Sequence, residues 1–179
     1  MKFTPLELAG AYLIELEPRT DDRGYFARQW CAEEFSSRAL CATIAQINTG
    51  FSPLAGTLRG LHFQRGADRE VKVVRCSRGA VFDVIVDLRP DSPSFGKHYA
   101  TDLSAESGRA VYAPEGFAHG YQTLRPDSEV QYLTSKAFSA SSATGVRFDD
   151  PQFAISWPIA VSRISKQDRE WPDFDGSAR

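Results

Sequence analysis

The segment Val71–Leu88 constrains the fold more than any other stretch. It reads VKVVRCSRGAVFDVIVDL, two runs dense in Val and Ile on either side of Ser77-Arg78-Gly79. β-Branched side chains fit a pleated surface, and a Gly-containing turn between two such runs signals a hairpin. The texture recurs at 110–113 (AVYA) and 117–124 (FAHGYQTL), read as a second pair around Pro114-Glu115-Gly116. It continues at 128–134 (SEVQYLT) and 145–148 (GVRF). Helical patterning is confined to about 31–40 and 165–171. Short strands at turn-length intervals predict an all-β sandwich or barrel with a few short helices, not a βαβ sheet. One antiparallel domain over 1–179 is expected, with its C-terminal tail packed back on the sheet.

Composition narrows what such a domain does. The 179 residues can close one core without staples. Lys and Arg number 21 against 23 Asp and Glu, a formal charge of −2, so no nucleic-acid footprint is present. Sixteen of those 21 cations are Arg, the side chain that grips phosphates bidentately, which keeps small anionic ligands in view. The start, MKFTPLELAG, lacks a basic stretch leading into an apolar run, and no apolar run is long enough to cross a membrane. Cys31, Cys41 and Cys76 are odd in number and lack metal-type spacing, which fits reduced thiols in the cytoplasm.

Three histidines, His62, His98 and His119, lie 36 and 21 residues apart with no HxH pair, so a metal site is poorly supported and proton transfer suits His62 better. In Leu58-Arg59-Gly60-Leu61-His62-Phe63-Gln64 the two-residue period puts Gly60, His62 and Gln64 on one face. That cleared face suits a base, but the fragment alone describes a half-buried, hydrogen-bonded histidine equally well. Gly60 is read as a point where a ligand approaches the backbone, and Gly24 and Gly116 as turn formers. Arg59 falls on the opposite face and joins His62 only if Gly60 marks a bulge. Lys72 shares a face with Val74 and Cys76; it either snorkels to the surface or, partly desolvated, stabilises an enolate oxygen or a phosphate. Tyr132, beside Val130 and Thr134, is either a core aromatic or a general acid. Ser165-Lys166-Gln167-Asp168 matches a capping box, so Asp168 either bonds the cap amide or orients a histidine. Asp83 and Asp87 are expected to pair with arginines.

Together these segments resemble the dTDP-4-dehydrorhamnose 3,5-epimerase family. The resemblance is carried by Asp22-Arg23-Gly24-Tyr25-Phe26, Leu58-Arg59-Gly60-Leu61-His62-Phe63-Gln64, Lys72-Val73-Val74-Arg75 and Gly79-Ala80-Val81-Phe82-Asp83-Val84. It continues through Asp87-Leu88-Arg89, Ser92-Pro93-Ser94-Phe95-Gly96, Pro114-Glu115-Gly116-Phe117-Ala118-His119-Gly120, Asp149-Asp150-Pro151 and Trp157-Pro158. The resemblance implies a cupin-type jelly-roll barrel, a homodimer, a nucleotide-diphosphate sugar inside the barrel, and neither metal nor other cofactor. It implies His62 as base, Asp168 as its partner and Tyr132 as acid. Lys72 and His119 then resemble contacts to the sugar and its C4 oxygen, and Arg23, Gln46, Asn48 and Arg59 resemble nucleotide- and phosphate-contacting positions.

Four positions depart from the family pattern. Arg28 and Ala143 stand where acids are frequent, Ala137-Phe138 where two adjacent aromatics are frequent, and Gln167 where a lysine is frequent. They bear on which nucleotide is bound and on whether one sugar carbon is inverted or both. A monofunctional 3- or 5-epimerase of another 4-keto nucleotide sugar is therefore the rival enzyme. A non-catalytic sugar-nucleotide-binding cupin is the rival of another class, and a metal-dependent cupin oxygenase is disfavoured by the histidine spacing.

Overall fold

The computed structural model describes residues 1–176. Its strands are β1 (Lys2–Pro5), β2 (Tyr12–Glu15), β3 (Arg19–Asp21), β4 (Gly24–Phe26), β5 (Gln46–Ser52), β6 (Thr57–Gln64) and β7 (Lys72–Arg78). There follow β8 (Ala80–Asp87), β9 (His98–Ser104), β10 (Ala110–Ala113), β11 (Phe117–Thr123), β12 (Ser128–Thr134), β13 (Ala143–Gly145) and β14 (Arg163–Ile164). Among the described residues helix is limited to α1 (Ala32–Ser36), α2 (Lys166–Glu170) and a 3-10 turn at Gly66–Asp68.

Two sheets face each other. One runs β1-β2-β10-β7-β12-β5 and the other β13-β6-β11-β8-β9, while β3 and β4 form a separate ribbon. Between them lies a core to which β7 and β12 contribute Val74, Cys76 and Val130, and β8, β9 and β11 contribute Val81, Ile85, Leu103 and Phe117. The outer face of the first sheet is covered by Phe35 of α1, packed with Ile14, Val73 and Tyr112. The outer face of the second is covered by Val146, Phe153, Trp157 and Phe174 of the C-terminal segment. With both faces buried, β8 carries apolar residues on both sides, which is why Val81–Val86 reads as a run broken only at Asp83 rather than as an alternation. The architecture is the expected all-β cupin-type jelly roll, and the tail packs back as expected.

Four local readings are corrected. Neither expected hairpin pair exists. Across Ser77-Arg78-Gly79, β7 bonds to β10 and β12 while β8 bonds to β9 and β11. Likewise 110–113 and 117–124 are strands, but β10 bonds to β2 and β7, whereas β11 bonds to β6 and β8. The Pro114-Glu115-Gly116 connection carries the chain from one sheet to the other, a crossing that local sequence cannot tell from a hairpin. The strand expected at 145–148 lies earlier, at Ala143–Gly145. Pairing is not wholly antiparallel, since β14 adds to β6 in parallel. Gly24 and Gly116 are turn residues as read, both with positive φ. The cysteines are free thiols, and among the described residues no helix is long and apolar enough to cross a membrane.

Candidate active site

The barrel interior opens into a cavity of about 860 Å3, within the range of small-molecule sites. Strand β5 lines it by simple alternation: Gln46, Asn48 and Gly50 face inward, while Ile47, Thr49 and Phe51 are exposed on the other side.

Strand β6 breaks its alternation where the site needs it to. Arg59 is opposite Tyr121 and His62 is opposite His119, so three steps along β6 match two along β11. The extra residue is a bulge at Gly60. Gly60 has φ +142°, and a Cβ there would come within 2.5 Å of Gly120 Cα. The glycine therefore admits the neighbouring strand's backbone, not a ligand, and that reading is corrected. The bulge turns Arg59 onto the same cavity as His62, the condition the sequence left open. It also frees the Gly60 N–H from the ladder, and this donor finds Asp168 Oδ2 at 3.2 Å.

The other Asp168 oxygen, Oδ1, lies 2.7 Å from His62 Nε2. Of the two readings of this residue, the histidine partner is the one seen, and the carboxylate bond to the cap amide is not. Ser165 Oγ caps α2 by accepting the Asp168 N–H at 3.0 Å, but the carboxylate itself reaches away to the imidazole. Burial works to raise the Asp168 carboxyl, yet the bonds from His62 and Gly60 outweigh it and hold the group below its ordinary value. The acid thus stays ionised beside the ring. The His62 side chain is 44% exposed against 6% for Asp168, so the pair presents an imidazole to the cavity with its anchor behind.

Lys72 is buried rather than snorkelling. Its Nζ donates to the His62 carbonyl at 3.0 Å and lies 3.0 Å from Glu70 Oε1. His119 has its own carboxylate, with Nε2 2.7 Å from Asp83 Oδ2. Asp83 Oδ1 is buried without a partner, and the expected Asp83–arginine pair is corrected: the imidazole across the ladder takes that place. Asp87 does pair with Arg89, at 2.6 Å. Tyr132 lines the cavity half-buried, and burial first, then the charge of Glu70, raises its phenol above the ordinary value.

The cavity thus gathers His62, Tyr132, Asp168, Lys72, Gln46, Asn48, Arg59 and His119. Arg23 is the exception. It sits on the β3–β4 ribbon, 84% exposed and paired with Asp21, outside this cavity. Among the departures, Ala143 and Gln167 line the cavity, the Ala137 carbonyl accepts from Gln64, and Arg28 pairs with Glu34. Sequence reasoning missed Tyr121, whose phenol burial pushes up to about 12, and Glu70. Their signal was two-residue spacing from His119 and Lys72, which alone does not separate a site residue from a wall.

Fold and site define a cupin-type barrel whose cavity holds two carboxylate-anchored imidazoles, an ammonium and a protonated phenol, the equipment of proton transfer. The family described as dTDP-4-dehydrorhamnose 3,5-epimerase matches residues 5–176, and the chain belongs to it. The dTDP-4-dehydrorhamnose 3,5-epimerase of Sinorhizobium fredii is 38% identical over 175 residues, 97% of this chain and 90% of that protein. The dTDP-4-dehydrorhamnose 3-epimerase of Streptomyces niveus is 37% identical, covering 95% of this chain and 82% of its own length. The Bacillus anthracis 3,5-epimerase, solved with TDP and PPi bound, superposes with a TM-score of 0.93 at 36% identity, covering 97% of this chain and 99% of that one.

Proposed function

We propose that this chain, acting as one domain over 1–179, is a cofactor-independent epimerase. It inverts C3 and C5 of dTDP-4-dehydro-6-deoxy-D-glucose, giving dTDP-4-dehydro-L-rhamnose. The observation that carries the reading is one cavity onto which the Asp168-anchored imidazole of His62, the ammonium of Lys72 and the phenol of Tyr132 all open.

The C4 ketone acidifies the neighbouring C–H bonds, because loss of a proton leaves an enolate. With Nε2 committed to Asp168, the Nδ1 of His62 is the nitrogen that takes the proton. Charge then develops on the C4 oxygen, where the Lys72 ammonium donates and His119, its Nε2 on Asp83, donates when Nδ1 is protonated as well; preorganised donors of this kind commonly contribute roughly 3 kcal/mol each. Tyr132 returns a proton to the opposite face of the carbon and inverts it. The cycle closes when the phenolate regains a proton and His62 releases one. Gln46, Asn48 and Arg59 hold the nucleotide end, so binding energy away from the reacting carbons orients them. We place the enzyme in the cytoplasm on its free thiols, and infer a homodimer.

Incubation in D2O with this substrate tests the reading. Deuterium at both carbons with inverted product is expected, and no label from any 4-keto nucleotide sugar would overturn it. A narrower activity, inversion at C3 alone, has one observation in its favour: the rim beside Gln64 presents Ala137 and a single ring, Phe138. Label at C3 and not at C5 would establish it.

A further inference from the structure

The Gln64 amide is fully committed. It is 4% exposed, its Oε1 accepts the Ser139 N–H at 2.6 Å, and its Nε2 donates to Asp68 O at 2.9 Å and Ala137 O at 3.2 Å. The same nitrogen bonds Oε2 of Glu70, so two protons serve three acceptors. The opposite oxygen of Glu70 holds Lys72 Nζ at 3.0 Å. An unbroken polar chain therefore runs from the rim backbone at Ala137 and Ser139, through Gln64 and Glu70, to the ammonium. Phe138 stands on that rim, 68% exposed and lining the cavity.

A side chain that merely satisfied buried backbone groups would need only Asp68, Ala137 and Ser139. The bond to Glu70 adds something else, because it fixes the carboxylate whose other oxygen orients Lys72. We propose that Gln64 is a positioning residue that sets the Lys72 ammonium through Glu70 and ties it to the rim carrying Phe138. The seating of the rim on a substrate and the charge that meets the enolate are then set together. The catalytic consequence rests on the epimerase reading; the geometric link does not.

Two variants test it. Gln64→Leu removes all four bonds, and Gln64→Glu keeps the acceptor for Ser139 while setting a second carboxylate against Glu70. The first readout is acetylation of Lys72 by acetic anhydride, mapped by mass spectrometry against the exposed Lys2 and Lys166. The second is kcat and KM of the folded variants. In both, Lys72 labelling should rise several-fold over the two references, and kcat should fall about tenfold with KM within about twofold, as for a group acting on the transition state. Labelling at the parent rate in both variants overturns the proposal whatever the activity. Absence of turnover in the parent enzyme counts against the epimerase reading, and the labelling still decides the role of Gln64.

Discussion

In the proposed mechanism inversion turns on Tyr132. Burial and the charge of Glu70 lift its phenol above the ordinary value of 10.0, and Arg59 only partly offsets them. It is therefore protonated at neutral pH and can donate. Tyr132→Phe leaves His62 and Lys72 in place, so wash-in of solvent deuterium at the substrate carbons should persist. Formation of inverted product should fall on the order of 100-fold, the usual contribution of a general acid. Loss of wash-in to the same extent would show that Tyr132 is not the donor. The raised phenol also predicts that the midpoint of any alkaline loss of kcat assignable to Tyr132 lies above pH 10, which a pH–rate profile of the folded enzyme checks. At this scale the sequence was legible in residue types but not in partners. Burial against Glu70 removes the snorkelling alternative for Lys72, but a half-buried histidine bonded to Asp168 and a tyrosine packed against the core fit the bland readings of His62 and Tyr132 as well as the catalytic ones.

At the scale of elements, the break in β6 matters more than any single side chain. An unbroken strand would turn Arg59 away from His62 and pair the Gly60 N–H within the ladder, leaving Asp168 with one anchor fewer. Gly60→Ala puts a Cβ against Gly120 at a φ of +142°, where an L side chain is strained. It should cost roughly 2 kcal/mol of stability and lower kcat further than its melting temperature accounts for, because relieving the clash shifts the residue-60 N–H away from Asp168. Full kcat in a destabilised variant would show that the bulge matters to folding alone. Another tie between elements is Asp87, whose carboxylate accepts from Arg89, Ser92 and Ser94 and so pins the turn after β8, while Arg89 reaches the Ala9 carbonyl. Burial raises this carboxyl, but those bonds prevail and hold it below 3.8. Its stabilisation is thus complete above that unfolded value and drains as pH falls through the lower folded one. Asp87→Asn should lose on the order of 3 kcal/mol at neutral pH and show a flatter stability profile in acid; an unchanged acid profile would refute the assignment. The runs of β7 and β8 were legible because they are dense in Val and Ile, and β12 because its short strand texture continues theirs. β1 to β4 and the sheet-to-sheet crossing at 114–116 were not, because nothing local records which sheet a strand joins.

The whole molecule leaves one predicted contact unplaced. The layers account for the cavity and its cover, yet Arg23, which by resemblance meets the nucleotide, stands on a ribbon outside the cavity of its own chain. The same ribbon exposes Tyr25 at 66% and Phe26 at 71%, an unusual display for aromatics with no cover. Both facts are reconciled if two copies assemble with each ribbon lying at the other's cavity. Sedimentation should then give a dimer, and Arg23→Ala should raise KM several-fold with kcat nearly unchanged, as expected of a group that binds ground state and transition state alike. Complementation decides whether the contact is made in trans. Arg23→Ala retains His62, and His62→Ala, nearly inactive, retains Arg23. In a mixed dimer of the two, one cavity has its own His62 and receives the partner's Arg23. Mixing equal amounts and allowing subunits to exchange should restore a fraction of activity at the parent KM. If the mixture shows only the weak-binding activity of Arg23→Ala, diluted by an inert partner, the arginine acts within its own chain or not at all, and the exposed ribbon needs another occupant.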